Sequence, residues 1–490
     1  MAKSKSAKRK RNAQADLPQK APKPSSIPTP PPDGATREPK NLNTIIPAED
    51  LDIAIETLTT LAQYPSLTKS KACKDLRVAV YGFRQACTTG VNNAEGANLT
   101  ARITGALADK QYLDARILLS EMRLRNEQPK IGALCRWVRD LDVVSGLSTQ
   151  PNALTLPPAS RTPESLALLS VLDAVLRIST PIDTNPHATP STQPIAFQSI
   201  WDLRPSSFSS SSSSSPPLQI YASVLDNSIL SHAPPPSSLH IIDRTPGPLR
   251  KPPNHHPALL YTSLPSAIPL SPAPAHTITY HPHPHVPGLG LALNVLSPEE
   301  CKALIAAGES VSFTPDIPLR EDNDMSILAH NFYWVIDQLF HDTLWERVSR
   351  FVPQSINGRP ARGINRRFRV YRYVPGAEYR CHIDGAWPPS GITQEGRYVY
   401  DASPEGRRQS SMYTFLLYLN DEFEGGETTF FVPAVREGTL NAYPVRPVMG
   451  AVAMFPHGEA NGALLHEGTG VRKGAKYIVR TDVEYDVEIE

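Results

Sequence analysis

The sequence predicts a multidomain protein, in which an all-α N-terminal region and a Pro/Ser-rich linker precede a C-terminal α+β domain built on an antiparallel sandwich or barrel. Three observations support this class. The chain of 490 residues is longer than one typical domain of roughly 100–200 residues. Its 50 prolines are about twice the average usage, which implies long stretches without regular packing. Apolar residues follow helical spacing early in the chain and alternate as in strands near its end.

Charge and cysteine content exclude several classes of protein. The formal net charge of +1 gives no global field toward nucleic acid or membrane, so any such affinity must be local. The 5 cysteines are an odd number without a Cys-x-x-Cys pair, which excludes a disulfide framework and a cysteine zinc cage. The N-terminus lacks a secretory h-region, and no uncharged apolar run reaches the roughly 18 residues of a membrane helix. We therefore expect a soluble intracellular protein, cytoplasmic or nuclear, with no membrane partner.

Residues 1–43 are predicted to form a disordered basic tail. The first 40 residues carry ten Lys/Arg and three Asp/Glu, a local net charge of 10 − 3 = +7, with almost nothing to bury. The Lys8-Arg9-Lys10-Arg11 cluster within it has two interpretations: a nuclear import signal, or a solvated tail that binds nucleic acid weakly.

Residues 44–180 are predicted to form an α-helical domain. The pattern over 101–144 predicts a helix, a turn, a second helix and a further helix with Trp137 and Val138 facing inward. Residues 106–138 faintly resemble a tetratricopeptide or pentatricopeptide unit, but no second clean copy follows at about 34 residues. A helical bundle is therefore favoured over a helical repeat, and partner binding is the one role considered for this region.

Residues 181–285 are predicted to be a Pro/Ser-rich linker with short strands. The wider stretch 151–285 holds 25 of the 50 prolines and a run of serines. Apolar patches at 218–225, 239–242 and 258–264 are interpreted as strands that lean against a neighbouring domain.

Four histidines near the end of this linker resemble a metal-binding tract: His276, His281, His283 and His285. The last three alternate with proline, and extended polyproline geometry splays their rings apart. A structural or incidental role is therefore favoured over a metal site.

Residues 286–490 are predicted to form the α+β domain. Ser297, Pro298 and Glu300 form a capping box that opens a helix through about residue 307, and a further helix is expected over 341–352. Strand patterns follow at 368–373, 413–420, 428–432, 451–455 and 477–486.

A group of metal-ligand residues lies in this domain. His382 and Asp384 follow a predicted strand, and the period of two places both on one face, with Ile383 on the other. A facial triad for ferrous iron needs one more neutral nitrogen donor and leaves adjacent positions open for cosubstrate and oxygen. His466 is the candidate if the sheet folds back on itself, as in a jelly roll. His457 is interpreted as a decoy rather than a ligand.

Two cations accompany this triad. Lys476, Ile478 and Arg480 alternate along a predicted strand, so both cations point the same way and can enter the barrel interior. A buried cation needs an anionic partner, and the distal carboxylate of 2-oxoglutarate is one.

These residues carry a family resemblance, in the order Arg372-Tyr373-x-x-Gly376-x-x-Tyr379-x-x-His382-x-Asp384, then Tyr418-Leu419-Asn420 leading into Gly425-Gly426-Glu427-Thr428-x-Phe430, then His466 followed by Lys476. Over about residues 296–486 the sequence resembles the catalytic domain of prolyl 4-hydroxylases within the 2-oxoglutarate and Fe(II)-dependent oxygenases. The resemblance implies a double-stranded β-helix and iron ligation by His382, Asp384 and His466. It implies that Lys476 holds 2-oxoglutarate, with Tyr373 as a hydroxyl donor and Thr428 in the pocket wall, and that ascorbate keeps the iron reduced.

Departures from the family leave alternatives open. The missing signal peptide argues against collagen as the substrate. Arg480 competes with Lys476 for the carboxylate because many oxygenases use arginine there, and Lys476 is favoured because its spacing matches this subfamily. The insertion at about 387–409 is interpreted as part of a substrate lid. Apolar walls are expected from Phe415, Leu417 and Phe430.

A run of arginines precedes the site: Arg359, Arg362, Arg366, Arg367, Arg369 and Arg372. It is either a solvated strand face or a guide for an acidic protein or nucleic-acid substrate.

The resemblance implies a dioxygenase that uses 2-oxoglutarate and O2 to hydroxylate a protein side chain, prolyl in the first instance, with release of succinate and CO2. A nucleic-acid oxidative demethylase and a catalytically silent scaffold are the alternatives.

Overall fold

The computed structural model describes residues 46–89, 98–146, 161–186, 188, 193–204, 219–250, 256–314, 329–458, 460 and 462–487. The chain divides into two compact units, Met1–Tyr81 and Gly82–Glu490. The predicted basic tail and the Lys8 to Arg11 cluster lie outside the described residues.

The described part of the first unit is helical. It holds α1 (Ala48–Ala62), α2 (Pro65–Thr68), a 3-10 turn (Lys71–Cys73) and the beginning of α3 (Lys74–Thr89). Arg77 of α3 donates to the carbonyl oxygens of Thr68, the last residue of α2, and Ser70, which ties α3 to the end of α2. None of the α1 residues is buried, and Ile53 and Leu58 are exposed. The apolar residues of α1 therefore build no core within the described part of this unit.

Four helices at the start of the second unit form one packed layer: α4 (Leu99–Ala108), α5 (Tyr112–Leu124), α6 (Ile131–Asp140) and α7 (Pro163–Ser179). The side chain of Asn98 caps α4 by accepting from a backbone N–H at 2.9 Å, and Thr162 caps α7 in the same way at 3.1 Å. The three helices predicted over 101–144 are confirmed, and Trp137 and Val138 are buried as predicted.

The remaining helices are α8 (Gln219–Leu225), α9 (Pro298–Val311) and α10 (Gln338–Val348), with 3-10 turns at Ser228–His232, Pro236–Ser238, Gly247–Leu249 and Ser349–Phe351. The capping box of α9 is confirmed. The Ser297 hydroxyl accepts from the Glu300 N–H at 3.2 Å, and the Glu300 carboxylate accepts from the Ser297 N–H at 2.8 Å. Among the described residues, no helix combines the length and apolar character needed to cross a bilayer.

The prediction of a strand at 218–225 is wrong, because this segment contains α8. A short apolar run fits a strand and a buried helix equally well. The carboxylate of Glu422 accepts from the Ile220 N–H at 2.9 Å, which satisfies an end group of the helix from 202 positions away. No local pattern encodes such a contact. The patches at 239–242 and 258–264 do lie in strands.

The strands in chain order are β1 (Ile195–Phe197), β2 (Leu239–Thr245), β3 (Ala258–Ser263), β4 (Thr279–Pro282), β5 (Gly290–Leu293), β6 (His330–Val335), β7 (Ser355–Ile356), β8 (Arg359–Ile364), β9 (Arg367–Tyr373), β10 (Tyr379–His382), β11 (Gly391–Ile392), β12 (Tyr398–Val399), β13 (Gln409–Tyr418), β14 (Glu424–Gly425), β15 (Thr428–Pro433), β16 (Leu440–Val445), β17 (Val452–Pro456), β18 (Leu465–Gly468), β19 (Val471–Lys473) and β20 (Lys476–Asp486). The five strands predicted in the C-terminal domain correspond to β9, β13, β15, β17 and β20.

Two sheets hold most of these strands. The larger has the order β2-β3-β6-β9-β20-β13-β17-β5-β4, with β8 on β20 and β7 on β8. The smaller has the order β1-β16-β15-β18-β10. Neighbours in both are antiparallel except β1 with β16 and β3 with β6. Strands distant in sequence therefore lie side by side, as a jelly roll requires.

The buried side chains define four layers. Leu416 of the larger sheet and Phe430 of the smaller belong to one cluster, which lies between the sheets. Phe415 packs with Leu304 of α9 on the outer face of the larger sheet. Ile383 packs with α4 to α7 on the outer face of the smaller sheet. The structure confirms a helical region and a sheet-rich region of jelly-roll type, whereas the domain boundaries and the linker stay predictions.

Two of the three predicted pocket walls are wrong. Phe415 and Leu417 lie in the cluster that packs on α9 and α10, outside the sandwich. Because side chains alternate along a strand, Leu416 of β13 faces the interior instead. Phe430 does face inward and stacks on His466, with ring centroids 5.6 Å apart.

Candidate active site

The predicted metal ligands converge between the two sheets. Strand β10 pairs with β18, and this pairing sets His382 directly opposite His466 with ring centroids 4.3 Å apart. Asp384 follows β10, and its carboxylate oxygens lie 3.4 Å from His382 Nε2 and 3.7 Å from His466 Nε2. All three ligand atoms lie within 4.8 Å of one another. Within the described ranges this is the one such group of three histidine, cysteine or acidic residues.

Backbone hydrogen bonds set the tautomer of both imidazoles. His382 Nδ1 is 2.7 Å from the carbonyl oxygen of Arg380, and His466 Nδ1 is 3.1 Å from that of Leu464. A carbonyl only accepts, so each Nδ1 carries the proton and each Nε2 presents a lone pair to the shared space. Two neutral nitrogen donors and one carboxylate are the donor set of a ferrous facial triad, so the residues present fit that metal.

Charges around Asp384 keep it ionised. Burial opposes ionisation, but the Arg480 guanidinium holds the pKa of this carboxyl well below its usual range. Arg480 Nη2 lies 3.1 Å from Oδ1, and the Thr414 hydroxyl donates to Oδ2 at 2.7 Å. Burial lowers the pKa of His466 to about 3, so this imidazole is neutral. Asp384 and His466 are therefore in the protonation states in which they bind a metal.

Lys476 and Arg480 point into the same cavity but differ in their partners. Arg480 is placed between Asp384 and Asp482, at 3.1 and 3.2 Å, and is neutralised by them. Lys476 is buried and donates from Nζ to the carbonyl oxygen of Gly426 at 2.7 Å. Among the described residues no carboxylate pairs with this ammonium, and burial lowers its pKa to about 7. The alternation of the two cations on β20 is as predicted.

The other predicted cosubstrate residues line the same cavity. Tyr373 is directly opposite Lys476 in the pairing of β9 with β20, and the ammonium lies 5.5 Å from the centre of its ring. Thr428 Oγ1 is 2.8 Å from the hydroxyl of Tyr418. Both Tyr373 and Thr428 lie in the cavity wall together with the three candidate ligands.

The sequence interpretation missed a hydrogen-bonded shell behind Asp384. His457 is fully buried, and its ring nitrogens lie 2.8 Å from the Ser411 hydroxyl and 2.8 Å from the Thr414 hydroxyl. Thr414 in turn donates to Asp384. His457 is therefore no ligand, but it positions one through Thr414. In the sequence this shell is indicated by Thr414, a polar residue two positions before Leu416 on the same, interior face of β13.

Helices support the strand that carries His382 from the opposite side. Arg380 forms an ion pair of 2.8 Å with Asp142, just beyond α6. The Ser145 hydroxyl accepts from the Cys381 N–H at 2.7 Å, and Cys135 Sγ of α6 lies 3.3 Å from the carbonyl oxygen of Ile383. The region to which the sequence assigned only partner binding thus braces the metal-binding strand.

The histidine tract and the insertion also have defined places. His283 Nδ1 accepts from two backbone N–H groups, at 2.9 and 3.1 Å, which is the structural role predicted for the tract. The insertion after Asp384 contains the β11-β12 ribbon, and the Asn365 side chain donates to the carbonyl oxygen of Pro388 at 2.9 Å. Its assignment as a lid stays a prediction.

Comparison with known proteins identifies the region around the cavity. Residues 368–481 match the sequence profile of the 2OG-Fe(II) oxygenase superfamily. Similar solved structures include a viral collagen prolyl hydroxylase from Paramecium Bursaria Chlorella virus-1 in its 2OG complex, with 18% identity over 43% of this chain and 97% of that chain and a TM-score of 0.25. A Pseudomonas putida prolyl-4-hydroxylase shares 16% identity over 44% and 95%, with a TM-score of 0.24. No curated protein matches the chain.

A third similar structure is a Trichoplax adhaerens prolyl hydroxylase in complex with a hypoxia inducible factor oxygen degradation domain peptide fragment. It shares 13% identity over 41% of this chain and 83% of that chain, with a TM-score of 0.26. All three likenesses cover less than half of this chain, and the family match lies within the sheet-rich region.

Proposed function

We propose that the protein, whose residues 368–481 match the 2OG-Fe(II) oxygenase superfamily, hydroxylates a protein side chain, prolyl in the first instance, with release of succinate and CO2. The observation that carries the proposal is the convergence of His382, Asp384 and His466 beside the buried ammonium of Lys476. A ligand triad without a nearby anion site would fit many metal centres. The triad and the ammonium together fit a dicarboxylate that is bound at one end by the metal and at the other end by the protein.

Each residue has a defined task in this proposal. His382, Asp384 and His466 hold ferrous iron, which supplies the oxidising chemistry once 2-oxoglutarate and O2 are bound. Lys476 binds the distal carboxylate of 2-oxoglutarate, because its ammonium has no carboxylate partner among the described residues. Arg480 instead holds Asp384 in place from 3.1 Å.

The walls of the cavity orient the cosubstrate and exclude water. Tyr373 and Thr428 line the same cavity as Lys476, and hydroxyl groups at these positions suit hydrogen bonds to a carboxylate. Phe455 lies 4.8 Å from the His466 ring and limits solvent on that side. A site without water strengthens the attraction between the ammonium and an entering carboxylate.

The remaining parts of the proposal rest on the family resemblance and on composition. Ascorbate is the proposed reductant, since enzymes of the resembled family use it to return iron to the ferrous state. A prolyl residue of a protein is the proposed target. The proposed location is the cytoplasm or nucleus, on the basis of the basic N-terminal tail.

The proposal is tested by adding Fe(II) and then 2-oxoglutarate to the full-length protein without oxygen, followed by admission of air. We expect a weak visible charge-transfer band and succinate release without a second substrate. His382→Ala should abolish both. His240→Ala, on the exposed face of β2, is the matched control and should leave both unchanged. A wild-type protein that shows neither band nor succinate would contradict the proposal and favour an interaction scaffold.

A further inference from the structure

A second cavity adjoins the metal site and shares Arg480 with it. One wall is strand β9, on which Arg367 and Arg369 lie on the same face as Tyr371 and Tyr373. The first two of these residues line the second cavity, and the last two line the metal cavity. A single strand face thus leads from one cavity into the other.

Three of the six arginines in the run have partners outside this cavity. Arg362 pairs with Asp486, Arg366 donates to the carbonyl oxygen of Ile336, and Arg372 pairs with Glu309. The guanidinium groups of Arg367 and Arg369 lie 4.8 and 5.0 Å from the ring centre of Tyr333, and both residues line the second cavity. The run is therefore neither a uniformly solvated face nor a continuous basic surface.

The two arginines give the cavity a positive charge. Strand pairing sets Arg369 directly opposite Arg480, and like charges in that position repel unless an anion lies near. Asp384 and Asp482 neutralise Arg480. The Nε of Arg367 is buried and has no hydrogen-bond partner among the described residues. This wall of the cavity is suited to a carboxylate, which can accept from guanidinium groups in a bidentate manner.

The other wall comes from the insertion after Asp384. Trp387 and Tyr400 line it and are 42% and 52% exposed, although both are large aromatic residues. Exposed aromatic surfaces beside arginines are typical of sites that bind a polypeptide. The insertion interpreted as a lid thus contributes the apolar half of the cavity.

We propose that this cavity binds an acidic side chain of the polypeptide substrate, next to the residue that is hydroxylated. The inference rests on the proposed function and names its substrate class. Both cavities contain Arg480, whose guanidinium lies 3.1 Å from Asp384, so the second cavity adjoins the metal site. Four residues of an extended chain span about 13 Å at roughly 3.3 Å per residue, so we expect the Glu or Asp within about four residues of the target.

A nucleic acid fits this cavity less well. Affinity for a nucleic acid comes from many phosphate contacts spread along the backbone. Here only two members of the arginine run line the cavity, about 7 Å apart along one strand. Asp482 also lines it and would repel a phosphate. One carboxylate on a peptide matches this charge pattern better than a phosphate chain does.

The test uses the full-length protein with Fe(II), 2-oxoglutarate and ascorbate, and 12-residue peptides with one central proline. One series places a single Glu at each position within four residues of the proline, and matched series carry Gln or Lys. We expect peptide-stimulated succinate release with a KM about tenfold lower for the best Glu peptide than for its Gln match, as one charge-assisted hydrogen bond provides. Hydroxylated peptide is measured by mass spectrometry.

Variants connect this preference to the cavity. Arg367→Glu and Arg369→Glu should each remove the preference for Glu, while Arg367→Lys should keep part of it. Arg362→Gln, which breaks the pair with Asp486 outside the cavity, is the matched control and should keep it all. Circular dichroism shows whether each variant folds, and the Arg362→Gln control should also keep the wild-type peptide-independent succinate release.

The outcomes separate the two proposals. No succinate from the wild type, with or without peptide, contradicts the proposed function itself. Succinate release and peptide hydroxylation without a Glu preference overturn the inference alone. Stimulation by single-stranded RNA rather than peptide, lost in Arg369→Glu, also overturns it and assigns the cavity to nucleic acid.

Discussion

Strand β10 separates two regions of the molecule that are built differently. On the pocket side, His382 and Asp384 belong to a group of buried charges and hydrogen bonds that also includes Lys476 and Arg480. On the helix side, Cys381 and Ile383 belong to the apolar cluster of α4 to α7. Buried charges oppose folding unless they are paired, whereas buried apolar groups favour it. Stability and chemistry therefore lie on opposite faces of this strand and of the two residues that follow it.

Because of this difference, we expect a substitution on the helix side to change the free energy of unfolding and a substitution on the pocket side to change the binding of 2-oxoglutarate. The largest effect is expected from Ile383→Ala, which removes most of a side chain that is 3% exposed and leaves a cavity against the helices. We expect the free energy of unfolding to fall by about 2–5 kcal/mol. The folded variant should keep the wild-type KM for 2-oxoglutarate, because no pocket group is changed. Chemical denaturation and succinate assays measure the two quantities.

The matched control for this variant is Leu339→Ala on α10, a side chain that is 59% exposed. It should change the free energy of unfolding by less than about 0.5 kcal/mol. If Ile383→Ala unfolds at the same denaturant concentration as the control, the helix layer does not stabilise β10.

The second prediction concerns the pocket side. Lys476→Ala should raise the KM for 2-oxoglutarate about 10- to 100-fold, because the lost hydrogen bond to a charged group contributes about 1.5–3 kcal/mol. Iron should still bind, and the free energy of unfolding should not fall, since the variant removes a buried cation without a carboxylate partner among the described residues. Iron titration, succinate assays and denaturation test this dissociation.

Arg480 provides the contrasting variant. Because its guanidinium lies 3.1 Å from Asp384, Arg480→Ala should weaken iron binding more than it raises the KM for 2-oxoglutarate. If Arg480→Ala raises that KM and Lys476→Ala does not, the carboxylate belongs to Arg480 and the assignment made here is wrong.

The two sides also differ in how far the sequence predicts them. The pocket side follows from the period of two in strands, which put His382 with Asp384 and Lys476 with Arg480, and from ordered family motifs. The helix side depends on which surface an apolar stripe covers. Contacts between residues distant in sequence decide that surface. The apolar spacing within α4 or α6 is the same whichever surface the helix covers.

The errors have the same origin. Their apolar character alone predicts Phe415 and Leu417 in the pocket wall, but the register of β13 turns them toward α9 and α10. His457 is an isolated histidine in the sequence, and only the pairing of β13 with β17 brings it to Thr414. Local period predicts which residues share a face, and tertiary pairing decides which face is the interior.

The smallest effect is a pH dependence confined to the pocket side. Burial lowers the pKa of Lys476 from 10.5 to about 7, with Glu427 and Arg446 acting in opposite directions. The ammonium that binds the carboxylate is therefore lost as pH rises through about 7, and the KM for 2-oxoglutarate should rise roughly eightfold from about pH 6.5 to about pH 8.

The contribution of Lys476 to stability has the opposite sign. The unfolded chain holds this proton up to about pH 10.5, so stability increases as pH rises between the two pKa values. Lys476→Arg, whose guanidinium stays charged, should give a flat KM over this range. A pH profile that is the same in wild type and Lys476→Arg would exclude the lysine as its source, while Ile383→Ala should keep the wild-type profile, because the helix side carries no part of this charge.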